Sequence, residues 1–284
     1  MKKYIIILLQ LLISSSLYSQ PLVLVSGNIK PYIETYEGIK EYFNGEVQLR
    51  FSENEPKDIF IYSPWFVIGD KAFNFAQKFN KNKKTVFALV KNPQKKITKK
   101  NSDLTGYRLN FSPKLIAEKI NNLFSNGKNY SIGIPYNPKN NYYYVKKIIK
   151  KLSANFTIIE IPVSSDKELV ASFEEIWNKI NLILLIPDDT VINKDNINYI
   201  FSQALSKKIG IIGYNRWFVK RGAVFSYFID YKELGKDTAK LYKKHKNGQI
   251  LYYNKIKTIG NKLILEKYNM QKIEDKLDLL WQQN

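Results

Sequence analysis

Leu182-Ile183-Leu184-Leu185-Ile186 is an unbroken apolar run closed by Pro187-Asp188-Asp189-Thr190. Its length suits a strand, and the lack of any polar residue on either face predicts burial from both sides. A helical segment over 193–207 follows, then Ile209-Gly210-Ile211-Ile212-Gly213 and the loop Tyr214-Asn215-Arg216-Trp217. A further apolar run over 222–231 leads through Leu234-Gly235 into a helix that ends by Gly248. Continuous apolar strands alternating with helices predict a parallel sheet with helices on both faces. In such sheets ligands bind beyond the carboxyl ends of the strands. Asp188, Asp189, the loop 214–217 and Asp230 are expected at such ends.

Working upstream, Ser131-Ile132-Gly133-Ile134 opens the same series, followed by a helix over 139–152, a strand over 156–161 and a helix after Ser164-Ser165-Asp166. An earlier series starts at Leu22-Val23-Leu24-Val25 and continues through a helix over 31–43 and strands over 47–51 and 58–62. It ends with a helix over 67–79 and a strand over 85–90. Residues 91–103 read as an exposed loop. Ser112-Pro113 reads as an N-cap followed by proline at the first helical position. The tail is expected to form a strand over 250–259, a turn at Gly260-Asn261, a strand-like 262–266 and a helix from 271. Two successive series predict two lobes: 20–109 with 223–249, and 110–222 with 250–284.

The first residues have another character. Lys2-Lys3, an apolar 4–13 and the small-residue exit Ser14-Ser15-Ser16 form the layout of a cleavable signal peptide over 1–19. The apolar run is too short to span a bilayer, and the chain is expected in the periplasm. Zero cysteines exclude disulfides, thiol catalysis and a lipid anchor on cysteine. The formal charge of +20 raises nucleic acid as a partner. Arginine, the residue of bidentate base and phosphate contacts, occurs only at positions 50, 108, 216 and 221, so no nucleic acid is expected. Lys95-Lys96, Lys99-Lys100, Lys146-Lys147 and Lys150-Lys151 read as solvated faces, with an anionic membrane surface as the alternative.

Catalysis is not expected. The single histidine, His245, sits among lysines at a helix end, where a cation is favoured. One histidine builds neither a zinc site nor a triad. No phosphate-binding glycine loop occurs, so neither metal nor cofactor is expected. The loops suit ligand capture instead, because aromatics can flank an apolar ligand while hydroxyls, amides and a carboxylate fix its polar ends. The candidate ligand-binding residues are Ser26, Ser63, Pro64, Trp65, Asn92, Tyr136, Asn137, Asp189 and Trp217. Each follows an expected strand.

Several local motifs carry a resemblance: Gly38, Asn92-Pro93, Leu104-Thr105-Gly106 and Ile134-Pro135-Tyr136-Asn137-Pro138. Ser164-Ser165, Pro187-Asp188-Asp189-Thr190-Val191, Ile211-Ile212-Gly213, Lys220-Arg221-Gly222-Ala223, Asp230-Tyr231-Lys232-Glu233-Leu234-Gly235 and Gly248 continue it. The chain resembles the ABC-transporter substrate-binding proteins of the tryptophan/tyrosine-binding type over most of 21–250. The resemblance implies an α/β type 1 periplasmic-binding-protein fold of two lobes, each a mostly parallel sheet flanked by helices. It also implies a monomeric, non-catalytic protein that closes on a small molecule, often an aromatic amino acid, and delivers it to a membrane ABC permease. A sensor that feeds a membrane signalling partner is the alternative. Asp189 matches a family acidic residue suited to an ammonium group. Ser63-Pro64-Trp65 stands where the family has small residues, and Asn92 where it has Asp. Lys139-Asn140-Asn141 follows Tyr136-Asn137-Pro138 where the family tends to show Glu and then Asn-Ser. These departures imply an altered ligand.

Overall fold

The computed structural model describes residues 19–80, 84–97, 104–124, 130–244 and 248–280. Residues 1–18 of the expected signal peptide, His245 and Lys99-Lys100 lie outside the described residues. Among the described residues no helix is long and apolar enough to cross a membrane.

The chain begins with β1 (Leu22–Val25), α1 (Lys30–Tyr42), β2 (Gln48–Phe51), β3 (Trp65–Ile68), α2 (Asp70–Phe79), β4 (Thr85–Val90), the single turn α3 (Pro93–Lys96) and β5 (Leu104–Arg108). It continues with α4 (Pro113–Leu123), β6 (Ser131–Tyr136), α5 (Pro138–Leu152), β7 (Thr157–Pro162), α6 (Leu169–Glu174) and β8 (Leu182–Leu184). Then come α7 (Lys194–Ser206), β9 (Gly210–Gly213), α8 (Arg216–Lys220) and β10 (Phe225–Ile229). The chain closes with α9 (Tyr231–Lys243), β11 (Ile250–Leu251), β12 (Ile256–Asn261), α10 (Lys262–Lys267) and β13 (Asp278–Leu280).

Contacts divide the chain into a first unit, 1–109 with 231–251, and a second, 110–230 with 252–284. In the first, the strand order is β11-β5-β4-β3-β1-β2, and every pairing is parallel. The second has the order β13-β12-β10-β9-β8-β6-β7, parallel except where β10 meets β12. All residues of β1, β3 and β4 are buried, as strands covered by helices on both faces must be. Leu24, Trp65, Phe73 and Phe87 centre the first core. Phe173, Trp177, Ile183, Ile200 and Phe218 centre the second. At Ser112-Pro113 a helix does start, but the Ser112 side chain makes no capping hydrogen bond.

Four expectations are corrected. The expected strand over 58–62 is a 3₁₀ turn, Asp58–Ile61, and the strand lies at Trp65–Ile68, paired in register with Leu22–Val25. Both segments are short and apolar, so pairing decides: Trp65 and Phe66 are fully buried, whereas Phe60 and Ile61 are 50% and 72% exposed. The helix expected from 67 therefore starts only at Asp70. In the tail, Gly260 stays in β12 and Asn261 caps α10 by accepting from the Ile264 amide, so 262–266 is helix and not strand. The return to the first unit was expected at 223 and comes at 231, because β10 is held in the second sheet by β9 and β12.

Candidate functional site

Both units run outward from a first strand in two directions. The chain goes from β1 to β2 on one side and to β3 on the other, and likewise from β6 to β7 and then β8. The reversal leaves a crevice at the carboxyl ends of β1 and β3, and another at the ends of β6 and β8.

In the first unit that point is built from Ser26, Gly69 and Tyr32. The Ser26 amide donates to the Ile68 carbonyl at 2.9 Å, and its Oγ accepts from the Ala72 amide at 2.9 Å in the first turn of α2. Gly69 has φ of 84°, and a Cβ there would lie 2.6 Å from Ser26 Oγ and 2.8 Å from the Tyr32 hydroxyl. Glycine is therefore required both by conformation and by close approach. Asp70 accepts from the Lys91 amide at 3.0 Å and pairs with Lys96, which ties the loop after β4 to the start of α2. Asn92 follows in that loop, left-handed at φ 44°. Burial of Tyr231, first residue of α9, pushes its hydroxyl up to about 12, with Glu34 and Tyr32 nearby adding to the effect.

A buried polar knot forms the corresponding point of the second unit. Asp188 Oδ2 accepts from the Asn137 amide at 2.8 Å and from Asn141 Nδ2 at 2.7 Å. Its Oδ1 accepts from the Thr190 and Val191 amides at 2.9 and 3.3 Å. Asn137 in turn donates from Nδ2 to Thr190 Oγ1 at 2.9 Å and to the Ser164 carbonyl at 3.2 Å. The loops after β6, β7 and β8 are thus joined by two side chains. Asp189, one residue on, is exposed. It borders a shallow depression with Ser165, Asp166, Thr190, Asn193 and Lys194. Among the described residues no acidic or histidine group is arranged to hold a metal ion.

The candidate residues separate on this geometry. Ser26 and Asn137 lie at the two reversal points. Asn92 and Asp189 lie on loops at carboxyl ends, in the first and second units respectively. Trp217 sits in the first turn of α8 after β9, 48% exposed. Its indole meets Phe218 at 5.1 Å and the Arg221 guanidinium at 5.1 Å. Asn215 caps this helix by accepting from the Trp217 and Phe218 amides. Ser63, Pro64 and Trp65 do not belong with them. They stand at the amino end of β3, and Trp65 is fully buried with Nε1 donating to the Tyr62 carbonyl at 3.0 Å. With the strand at Trp65–Ile68 and a 3₁₀ turn at Asp58–Ile61, Ser63 and Pro64 precede the strand and Trp65 opens it, so none of them follows it. Tyr136 is also turned inward, 3% exposed. Its hydroxyl donates to Glu160 at 2.6 Å, and Glu160 also holds Lys146 of α5. Burial, then the Glu160 contact, pushes the Tyr136 hydroxyl up.

Sequence reasoning missed Tyr32, Gly69, Asn141 and the structural part of Asp188. Asp188 had a signal, since an aspartate two residues before a threonine can accept from that residue's amide. Tyr32 and Gly69 had none, because their meeting depends on β1 and β3 being neighbours.

Comparison with known proteins follows the same lines. An ABC domain from Streptococcus pneumonia in complex with L-Trp matches at TM-score 0.65 and 18% identity, covering 92% of this chain and 100% of that one. A conserved domain protein of Vibrio cholerae gives TM-score 0.65 and 17% identity, with 93% and 99% covered. A ligand-free, open substrate-binding protein with adhesive properties from Clostridium difficile gives 0.70 and 16%, with 93% and 100% covered. These likenesses establish the fold, an α/β type 1 periplasmic-binding-protein fold. No curated protein sequence matches the chain. The family model of ABC transporter substrate-binding proteins matches residues 95–276, more than half of the chain. This chain belongs to the ABC transporter substrate-binding protein family.

Proposed function

We propose that the protein is an exported, non-catalytic solute-binding protein that captures a small ligand with the loops at the carboxyl ends of its two sheets and presents it to a membrane ABC permease. The carrying observation is the repeated polar assembly at the reversal point of each sheet, Ser26 with Tyr32 and Gly69 in one and Asn137 with Asp188 in the other. A protein that only packs has no need to gather buried polar groups at the place where doubly wound sheets take ligands.

An amino acid is the first ligand to try. Asp189 is exposed beside Asp166 and offers carboxylate charge to an ammonium group. Trp217 offers an accessible ring, and Ser26 and Asn92 offer polar atoms from the first unit. The pneumococcal protein of the same fold holds L-Trp, which supports starting with aromatic amino acids. The signal-like first residues support export.

The test is a thermal-shift screen of residues 20–284 against amino acids, purines, sugars and small anions. Binding to the native state raises the melting temperature with ligand excess. A shift with one ligand class, lost in Asp189→Ala, supports the reading. No shift with any compound, at concentrations far above those that saturate binding proteins, rejects it.

A further inference from the structure

Helix α5 divides cleanly into two faces. Asn141, Tyr144, Val145, Ile148 and Leu152 are buried at helical spacing. The other face carries Lys139, Lys146, Lys147, Lys150 and Lys151 with Tyr142 and Tyr143, all exposed. The helix contains no acidic residue. Tyr142 and Tyr143 are 44% and 80% exposed and meet edge to face at 5.4 Å. Lys146 lies 5.3 Å from the Tyr142 ring centroid and pairs with Glu160 at 2.5 Å.

Among the described residues, no carboxylate pairs with Lys147, Lys150 or Lys151. Abundance of lysine does not account for this. On α9, Lys232 and Lys236 both pair with Glu41, and Lys240 pairs with Asp237. On α5, by contrast, Lys146 and Lys150, and Lys147 and Lys151, are like charges four residues apart, which repel. An anionic partner relieves that repulsion.

We propose that the lysine and tyrosine face of α5 docks on an anionic lipid surface. Lysine stems reach out to phosphates while the charge stays hydrated. Tyrosine rings suit the headgroup layer, where one end is apolar and the other wet. Lysine in place of arginine favours headgroups over nucleic acid, which is read by arginine forks. The proposal rests on the export in the proposed function and is independent of which solute binds.

The experiment is co-sedimentation of residues 20–284 with vesicles of phosphatidylcholine alone, or with phosphatidylglycerol added, across a salt series. Association is expected only with phosphatidylglycerol, and it weakens as salt rises. Reversing Lys147→Glu, Lys150→Glu and Lys151→Glu together lowers the partition coefficient by about a hundredfold or more. The neutral variant with Gln at the same three positions also binds more weakly, which guards against a folding defect. Reversing the exposed Lys179, Lys207 and Lys220 to Glu makes the same change in net charge and lowers it by less than about tenfold. Tyr143→Ala weakens binding at every salt concentration without changing the salt slope.

Equal binding to both vesicle types overturns the proposal. So does equal loss in the control triple, or tighter capture of duplex DNA through the same lysines. The solute-induced thermal shift, kept in the α5 variants, separates failure here from failure of the solute-binding reading.

Discussion

Asp188 accepts four hydrogen bonds, three of them from backbone amides, while 4% exposed. Removing its carboxylate leaves those donors buried and unmet. Asp188→Ala is expected to lower the unfolding free energy by about 2–4 kcal/mol in urea titrations. Asp189→Ala, at an exposed position, is expected to stay within about 0.5 kcal/mol of the parent and to lose the solute shift instead. Equal stability of the two variants would show that the knot does not organise the loops. Trp65 tests the opposite assignment. Trp65→Ala should cost about 3–5 kcal/mol by opening a cavity in the first core, while the folded fraction binds solute as the parent does. A selective loss of affinity there would return Trp65 to the site.

At the level of elements, α1 and α9 cross where glycine faces glycine. A Cβ on Gly38 would lie 2.0 Å from the Lys232 carbonyl oxygen, and one on Gly235 would lie 2.1 Å from that of Thr35. Backbone cannot yield as a side chain can, so the helices would have to separate. Alanine gains about 1 kcal/mol in helix propensity, and overpacking costs about 1–3 kcal/mol. Either Gly→Ala change should therefore be neutral at best and destabilising in most of that range, as read by thermal melting. A clearly raised melting temperature would argue against the close crossing.

The same pair of helices is joined by Glu41, whose carboxyl is lowered to about 2 by hydrogen bonds from Lys232 and then Lys236. A depressed folded value means that this contribution is present above the ordinary carboxylate range and is lost as pH falls toward about 2. Glu41→Gln should therefore flatten the acid limb of the stability profile between pH 4.5 and about 2, and an unchanged limb would remove the role. Elements were legible where apolar runs were long, as in β4. They were misread at 58–68, where two short apolar segments competed and only pairing with β1 chose the second.

For the molecule as a whole, burial raises the hydroxyls of Tyr227, Tyr136 and Tyr231, the last to about 12. A raised folded value gives stability that is complete below the unfolded value of 10 and lost as pH climbs through the folded one. Ultraviolet titration should therefore show Tyr227, Tyr136 and Tyr231 ionising only above pH 10, together with unfolding. Ionisation of these three at pH 10 with the fold intact would contradict their burial.

Sequence alone determined the α/β class and the repeated βα series. Hydrophobic period is a local property of the chain. Only the tertiary structure decided that Trp65 is core, that Asp188 and not Asp189 is buried, and that Ser26 meets Tyr32 and Gly69. Those outcomes depend on which strands become neighbours and on which end of a strand a loop emerges. Both are settled by contacts between residues far apart in the chain.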